Sequence, residues 1–277
     1  MRQFIALIHL FRPINLFLGA LSVLISAAVL KELGQTGTII SAILVVVSLN
    51  AAANAFNDYR DLEMDQINRV NRPLPSGIIP PVVALWSAII LFLVGIIISY
   101  QINLSAFIIA TFIATPLLVF YTLWFKGRIL VGNVVVSFTL GLVFIFSGAA
   151  LGNIWGMLVP ACLAFGFTLI REFVKDMADI EGDRTVNLNT FPIRFGLGKS
   201  VYLAITFIIL LSIGTLLPFW LSIYGKFYLI TLVLGIEIPL LYVILLLMKK
   251  PSISTFSRIS QILKACIFAG LLAVYLG

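Results

Sequence analysis

Eleven acidic residues are spread very unevenly over 277 positions, and nine of them lie in or beside two short runs. The first run reads Asn57-Asp58-Tyr-Arg-Asp61-Leu-Glu-Met-Asp65. The second reads Lys175-Asp176-Met-Ala-Asp179-Ile-Glu-Gly-Asp183, with Glu172 just upstream, and only Glu32 and Glu237 lie elsewhere. In both runs aspartates recur at i, i+3 and i+7, a spacing that predicts three carboxylates on one face of a helix. Like charges at that spacing repel, so something positive must neutralise them. The donors are oxygens of Asp, Glu and Asn, with no His or Cys nearby, which suits a hard divalent ion such as Mg²⁺ better than zinc or a redox metal. Mg²⁺ commonly completes its shell with substrate phosphates, so a pair of such clusters points to a diphosphate clamp.

The cations beside the runs extend the same chemistry. Arg72, Lys126, Arg128, Arg171, Lys175 and Arg184 can all meet phosphate oxygens, the arginines bidentately. Metal and cations together stabilise a departing diphosphate. A diphosphate leaving an allylic carbon leaves a carbocation, which needs an apolar, water-poor cavity and aromatic faces such as Tyr121, Trp124 or Phe125. Each of these residues also has a plainer role: a rim carboxylate can cap a helix, a cation can orient a membrane protein, and Tyr121 can anchor at the interface. Six aspartates at matched spacing on two segments weigh toward function, because acids near a membrane are costly. His9, the single histidine, sits in a basic amphipathic N-terminal stretch and reads as interfacial, while Cys162 and Cys266 read as small core residues.

The elements that must position this chemistry are membrane helices. The chain is 61% hydrophobic and 10% charged, with a mean hydropathy of +1.15, far from a soluble domain. Nine apolar stretches of about membrane-spanning length are expected near 13–30, 38–57, 81–99, 104–125, 129–150, 157–175, 199–220, 227–248 and 259–276. All should be helices, giving an all-α membrane protein of nine transmembrane helices in one bundle around a central cavity, a single domain over 1–277. Both acidic runs fall at the ends of even-numbered helices, where a bundle can bring them face to face. Of 18 lysines and arginines, 15 fall on the side holding the runs; Lys31 and Lys226 fall on the other and Lys264 inside the last stretch. The positive-inside rule then makes the N-terminus and the clusters cytoplasmic in the cell membrane. The net charge of +7 is dispersed at helix ends, so no nucleic-acid partner is expected. Hydrophobic stretches recur to the last residue, so a removable signal peptide is not expected.

The 118-residue offset from Asp58 to Asp176 also pairs Glu63 with Glu181 and Asn71 with Asn189, which suggests an internal repeat. With these motifs in hand, the chain resembles the UbiA-type intramembrane prenyltransferases. That family's NDxxDxxxD is matched by Asn57, Asp58, Asp61 and Asp65, and its DxxDxxGD by Asp176, Asp179, Gly182 and Asp183. The flanking residues 67–77, INRVNRPLPSG, are similar to the INRPxRPIPSG of the archaeal-type digeranylgeranylglyceryl phosphate synthases, with Val70 and Leu74 departing. Arg171-Glu-Phe-Val-Lys-Asp176, Arg12-Pro-Ile-Asn15 and Thr190-Phe-Pro-Ile-Arg-Phe-Gly196 are similar to that branch's REIxKD, RPxN and TLPIxxG.

The resemblance implies nine helices and Mg²⁺ held by Asn57, Asp58, Asp61, Asp65, Asp176, Asp179 and Asp183, with Asp61, Asp65, Asp179 and Asp183 central to catalysis. It implies an isoprenyl diphosphate donor, held with help from Lys126, Arg128, Lys175 and Arg184, and a lipid acceptor in the bilayer. Arg72, or Arg12 with Asn15, is assigned to an acceptor phosphate, and Tyr121 to the prenyl cation. The expected reaction moves a geranylgeranyl group from its diphosphate to geranylgeranylglyceryl phosphate. An aromatic or chlorophyllide acceptor is the alternative within the class, and a cation-coupled transporter the alternative outside it.

Overall fold

The computed structural model describes residues 2–68, 70–249 and 251–277; Arg69 and Lys250, two of the cations counted for orientation, lie outside the described residues. Twelve helices follow in order among the described residues: α1 Arg2–Phe11, α2 Pro13–Val29, α3 Thr36–Arg60, α4 Leu62–Asn68, α5 Pro81–Ile102, α6 Leu104–Phe125, α7 Val131–Ala150, α8 Trp155–Ala178, α9 Ile180–Thr185, α10 Phe191–Trp220, α11 Lys226–Met248 and α12 Ile253–Leu276. Among the described residues the only extended pairing is an isolated bridge between Arg128 and Asn189. Among the described residues eight helices are long and apolar enough to cross a membrane, and a ninth span is completed if the bent pair α1 and α2, turning by 54°, crosses as one. The expected first span, 13–30, coincides with α2, with α1 bent away ahead of it. Arg12 makes that corner at φ 57°, ahead of Pro13, which lacks an N–H and opens α2 at no cost in hydrogen bonds.

The chain forms two compact units, Met1–Phe125 with Leu142–Met157 and Lys126–Gly141 with Leu158–Gly277. In the first, Val23, Val45, Leu49, Ile109 and Phe146 share a core, and Ala6, Leu10, Ala55, Leu74, Ile79 and Ala88 pack α1, the end of α3 and the 74–79 loop together. Lipid gives helices no hydrophobic reason to associate, so small residues that permit close approach matter. A Cβ on Gly95 would lie 2.8 Å from Leu49 Cδ2. In the second unit Phe173, Met177, Ile208, Tyr228, Leu240, Phe256 and Ile259 form the core.

Two helices widen into π turns, Ile109–Ala114 in α6 and Val233–Glu237 in α11. Each is followed by a proline two residues on, Pro116 and Pro239, whose ring and missing N–H break the regular ladder, and the wider turn absorbs the break. Cys266 is buried but Cys162 is exposed, a correction to the core assignment: a small apolar residue on a membrane helix can face lipid as readily as protein.

Candidate active site

In the first unit α3 carries Asn57 and Asp58 to its end, and the chain breaks at Asp61 (φ −86°, ψ 3°) before α4 carries Asp65. The three aspartates therefore straddle a break and do not share one straight helical face. The hydrogen bonds of the turn survive, Asp61 N–H to Asn57 O at 2.9 Å and Asp65 N–H to Asp61 O at 2.8 Å. The Asp61 carboxylate also accepts from Asn57 Nδ2 at 2.8 Å. Short polar side chains that bond to nearby groups loosen a helix at such points.

Asp58 and Asp65 are 4% and 2% exposed, and buried carboxylates demand compensation. Arginines supply it. Arg12 Nη2 donates to Asp58 Oδ1 at 2.5 Å, and Arg72 Nη1 donates to Asp65 Oδ2 at 2.7 Å and to Asp58 Oδ1 at 3.3 Å. Asn54 Nδ2 donates to Phe11 O at 3.1 Å, tying α3 to the corner that presents Arg12. Asn15 is exposed in the first turn of α2.

In the second unit the pattern repeats: α8 ends at Ala178, Asp179 makes the break (φ −94°, ψ 5°) and α9 carries Asp183. Asp179 N–H donates to Lys175 O and Asp183 N–H to Asp179 O, both at 2.9 Å. The Asp176 carboxylate accepts from Asn133 Nδ2 at 2.8 Å. One turn deeper in α8, Arg171 Nη1 meets Glu172 Oε1 at 2.5 Å, and Lys175 Nζ lies 3.5 Å from Glu172 Oε2.

Lys126 and Arg128 flank Gly127, which sits at φ 69°. The Gly127 carbonyl accepts from Asn189 N–H at 2.8 Å, so the 126–128 segment is pinned to the loop after the second cluster. Arg184 is exposed at the end of α9, and Tyr121 opens the terminal π turn of α6, Tyr121–Phe125, in the first unit.

Sequence reasoning missed Asn133. Its signal is an asparagine in the first turn of a largely apolar helix that carries no charge, 118 residues after Asn15. The donors fit Mg²⁺ chemically, being hard oxygens of carboxylates and amides around buried negative charge. Among the described residues no three acidic, His or Cys side chains form a ready-made metal cage. Mg²⁺ does not need one, since it binds through one or two carboxylates with water and substrate phosphates.

A model of the UbiA prenyltransferase family matches residues 16–262, which takes in both clusters and both units. The chain belongs to the UbiA prenyltransferase family. Like other members it is an integral, multi-pass membrane protein, and its transferase chemistry is that of prenyl groups. This UbiA protein is 34% identical over 258 residues to the digeranylgeranylglyceryl phosphate synthase of Methanothermobacter thermautotrophicus, covering 93% of this chain and 90% of that one. A solved digeranylgeranylglyceryl phosphate synthase superposes with a TM-score of 0.81 at 32% identity, over 100% of this chain and 99% of the other. A UbiA homolog from Archaeoglobus fulgidus, solved with GPP and Mg²⁺, shares the fold at 14% identity with a TM-score of 0.68, over 97% and 99% of the two chains.

Proposed function

We propose that this UbiA prenyltransferase transfers a geranylgeranyl group from geranylgeranyl diphosphate to the free hydroxyl of geranylgeranylglyceryl phosphate, making the second ether bond of an archaeal-type membrane lipid. The observation that carries this reading is the near-full-length similarity to digeranylgeranylglyceryl phosphate synthases. The two units act as one prenyltransferase domain over 1–277.

Asn57, Asp58, Asp61, Asp65, Asp176, Asp179 and Asp183 are the residues that would hold Mg²⁺. When bound, Mg²⁺ supplies positive charge against the diphosphate and makes it a better leaving group. Lys126, Arg128, Lys175 and Arg184 bind diphosphate oxygens. The bond between C1 of the prenyl chain and the diphosphate oxygen breaks, its electron pair leaving with the diphosphate. The acceptor hydroxyl oxygen bonds to C1, and its proton is released. Apolar helices exclude water from the allylic centre, and Tyr121 offers it an aromatic face. Arg72, which holds Asp65, or Arg12, which holds Asp58, together with Asn15 in the first turn of α2, binds the acceptor's phosphate.

The test is incubation of the purified protein and Mg²⁺ with labelled geranylgeranyl diphosphate and a panel of acceptors. Ether-linked product from geranylgeranylglyceryl phosphate is expected. Prenylation of an aromatic acceptor alone would overturn the acceptor and leave the transferase.

A further inference from the structure

The backbone carries the 118-residue repeat well beyond the aspartates. Helix α2 begins at Pro13 and α7 at Val131; α3 ends at Arg60 and α8 at Ala178; α4 begins at Leu62 and α9 at Ile180. Arg12 and Leu130, the residues just before α2 and α7, share the same φ of 57°. Left-handed backbone is uncommon away from glycine, so two such residues at matched positions mark corresponding corners. In this register Asn133 is the counterpart of Asn15, each in the first turn of its helix.

Asn133 is 6% exposed and spends an amide N–H on Asp176 Oδ2 at 2.8 Å. The counterpart of Asp176 is Asp58, which is met by two guanidinium groups, Arg12 at 2.5 Å and Arg72 at 3.3 Å. The positions corresponding to those arginines hold Leu130 and Thr190, neither of them charged. The side-chain hydrogen-bond partner of the second unit's carboxylate is therefore a neutral amide, whereas the first unit's partners are guanidinium groups. The chemical difference is definite: a guanidinium offsets part of the carboxylate's charge and shares it with any metal, whereas an amide fixes one oxygen and leaves the charge itself undiminished.

We propose that Asn133 is the positioning residue of the second cluster, holding the Asp176 carboxylate in place to ligate Mg²⁺ without neutralising it. The proposal rests on the metal-diphosphate reading above. Hydrogen-bonded partners of ligating carboxylates tune affinity, and their loss costs about 10–100-fold.

The experiment titrates Mg²⁺ against binding of a non-reactive geranylgeranyl thiolodiphosphate to the full chain in detergent, with melting measured in chelator. Asn133→Ala should raise the Mg²⁺ midpoint by about tenfold or more, with turnover largely regained at saturating Mg²⁺. Asn103→Ala is the structural control: it deletes amide bonds to the Ala149 and Ala150 carbonyls at 2.9 and 3.2 Å and should lower melting without moving the midpoint. If Asn133→Ala does not fold, Asn133→Thr, which keeps a shorter donor, should move the midpoint in the same direction. A folded Asn133 variant with lower melting and an unmoved midpoint overturns the proposal and leaves Asn133 a helix-to-helix lock. Wild-type donor binding that ignores Mg²⁺ overturns the metal reading itself, and the proposal with it.

Discussion

Asp61 and Asp179 stand at matching breaks, between the helix that delivers each cluster and the short helix that carries its last aspartate. Neither side chain is a packing residue of the cores described above, so exchanging carboxylate for amide removes the charge and keeps the side chain's size and shape. Asp61→Asn and Asp179→Asn should each leave a folded protein with turnover reduced roughly 10²-fold or more, since each 1.36 kcal/mol of lost transition-state stabilisation is tenfold in rate. Rates within about threefold of wild type for both would refute the metal-binding role, and melting curves establish that folding is intact. Arg72 has a different place, bridging the buried Asp58 and Asp65. Arg72→Gln leaves those carboxylates short of a partner and takes a cation from the proposed acceptor phosphate. It should raise KM for the phosphorylated acceptor more than for the isoprenyl diphosphate. An equal rise in both KM values would remove Arg72 from acceptor recognition.

Among the connecting elements, the 126–130 segment depends on a single glycine. Gly127 takes a left-handed φ of 69°, and a Cβ there would lie 2.6 Å from Leu188 Cδ2. Gly77 has nearly the same φ, 72°, with nothing within 4 Å of its Cβ position. A side chain at either position meets backbone strain of about 1–3 kcal/mol, but only Gly127 adds overpacking of similar size. Gly127→Val should therefore lower the melting temperature more than Gly77→Val. It should also weaken donor binding, because Lys126 and Arg128 ride on the displaced segment. Equal melting shifts would mean that the loop after the second cluster yields freely.

At the scale of the whole molecule, the excess of lysine and arginine on one side predicts an orientation with cytoplasmic clusters and external Lys31 and Lys226. After replacement of Cys162 and Cys266, a cysteine at Ser76 or Thr185 should resist an impermeant thiol reagent outside intact cells, and one at Gly34 should react. Labelling of the first two from outside would reverse the topology. The mixture of long apolar helices and paired acidic runs also explains why the protein must fold in lipid: large side chains such as Phe112, Leu234 and Trp220 are more than half exposed, which only a hydrocarbon solvent favours.

The amino-acid sequence by itself determined the membrane class, the all-helical architecture and the two acidic runs from which the proposed metal ligands are drawn, because helix length in a bilayer and acid placement are local properties of the chain. The spans near 104–125 and 227–248 read as plain helices, and the π turns ahead of Pro116 and Pro239 emerged only in the structure. Only the tertiary structure decided who meets whom. That Asp58 is held by Arg12, 46 residues away, and Asp176 by Asn133, 43 residues away, depends on how each unit packs its helices. No i, i+4 pattern encodes those contacts. The break at Asp61 and Asp179 was equally hidden, since a spacing of three and four reads as an unbroken helix until the carboxylates and amides compete with its ladder. The bent α1 and α2 pair is the same lesson at the chain's start. A residue before proline signals a boundary, but the left-handed corner at Arg12 is made where α1 packs on the α3 end and the 74–79 loop.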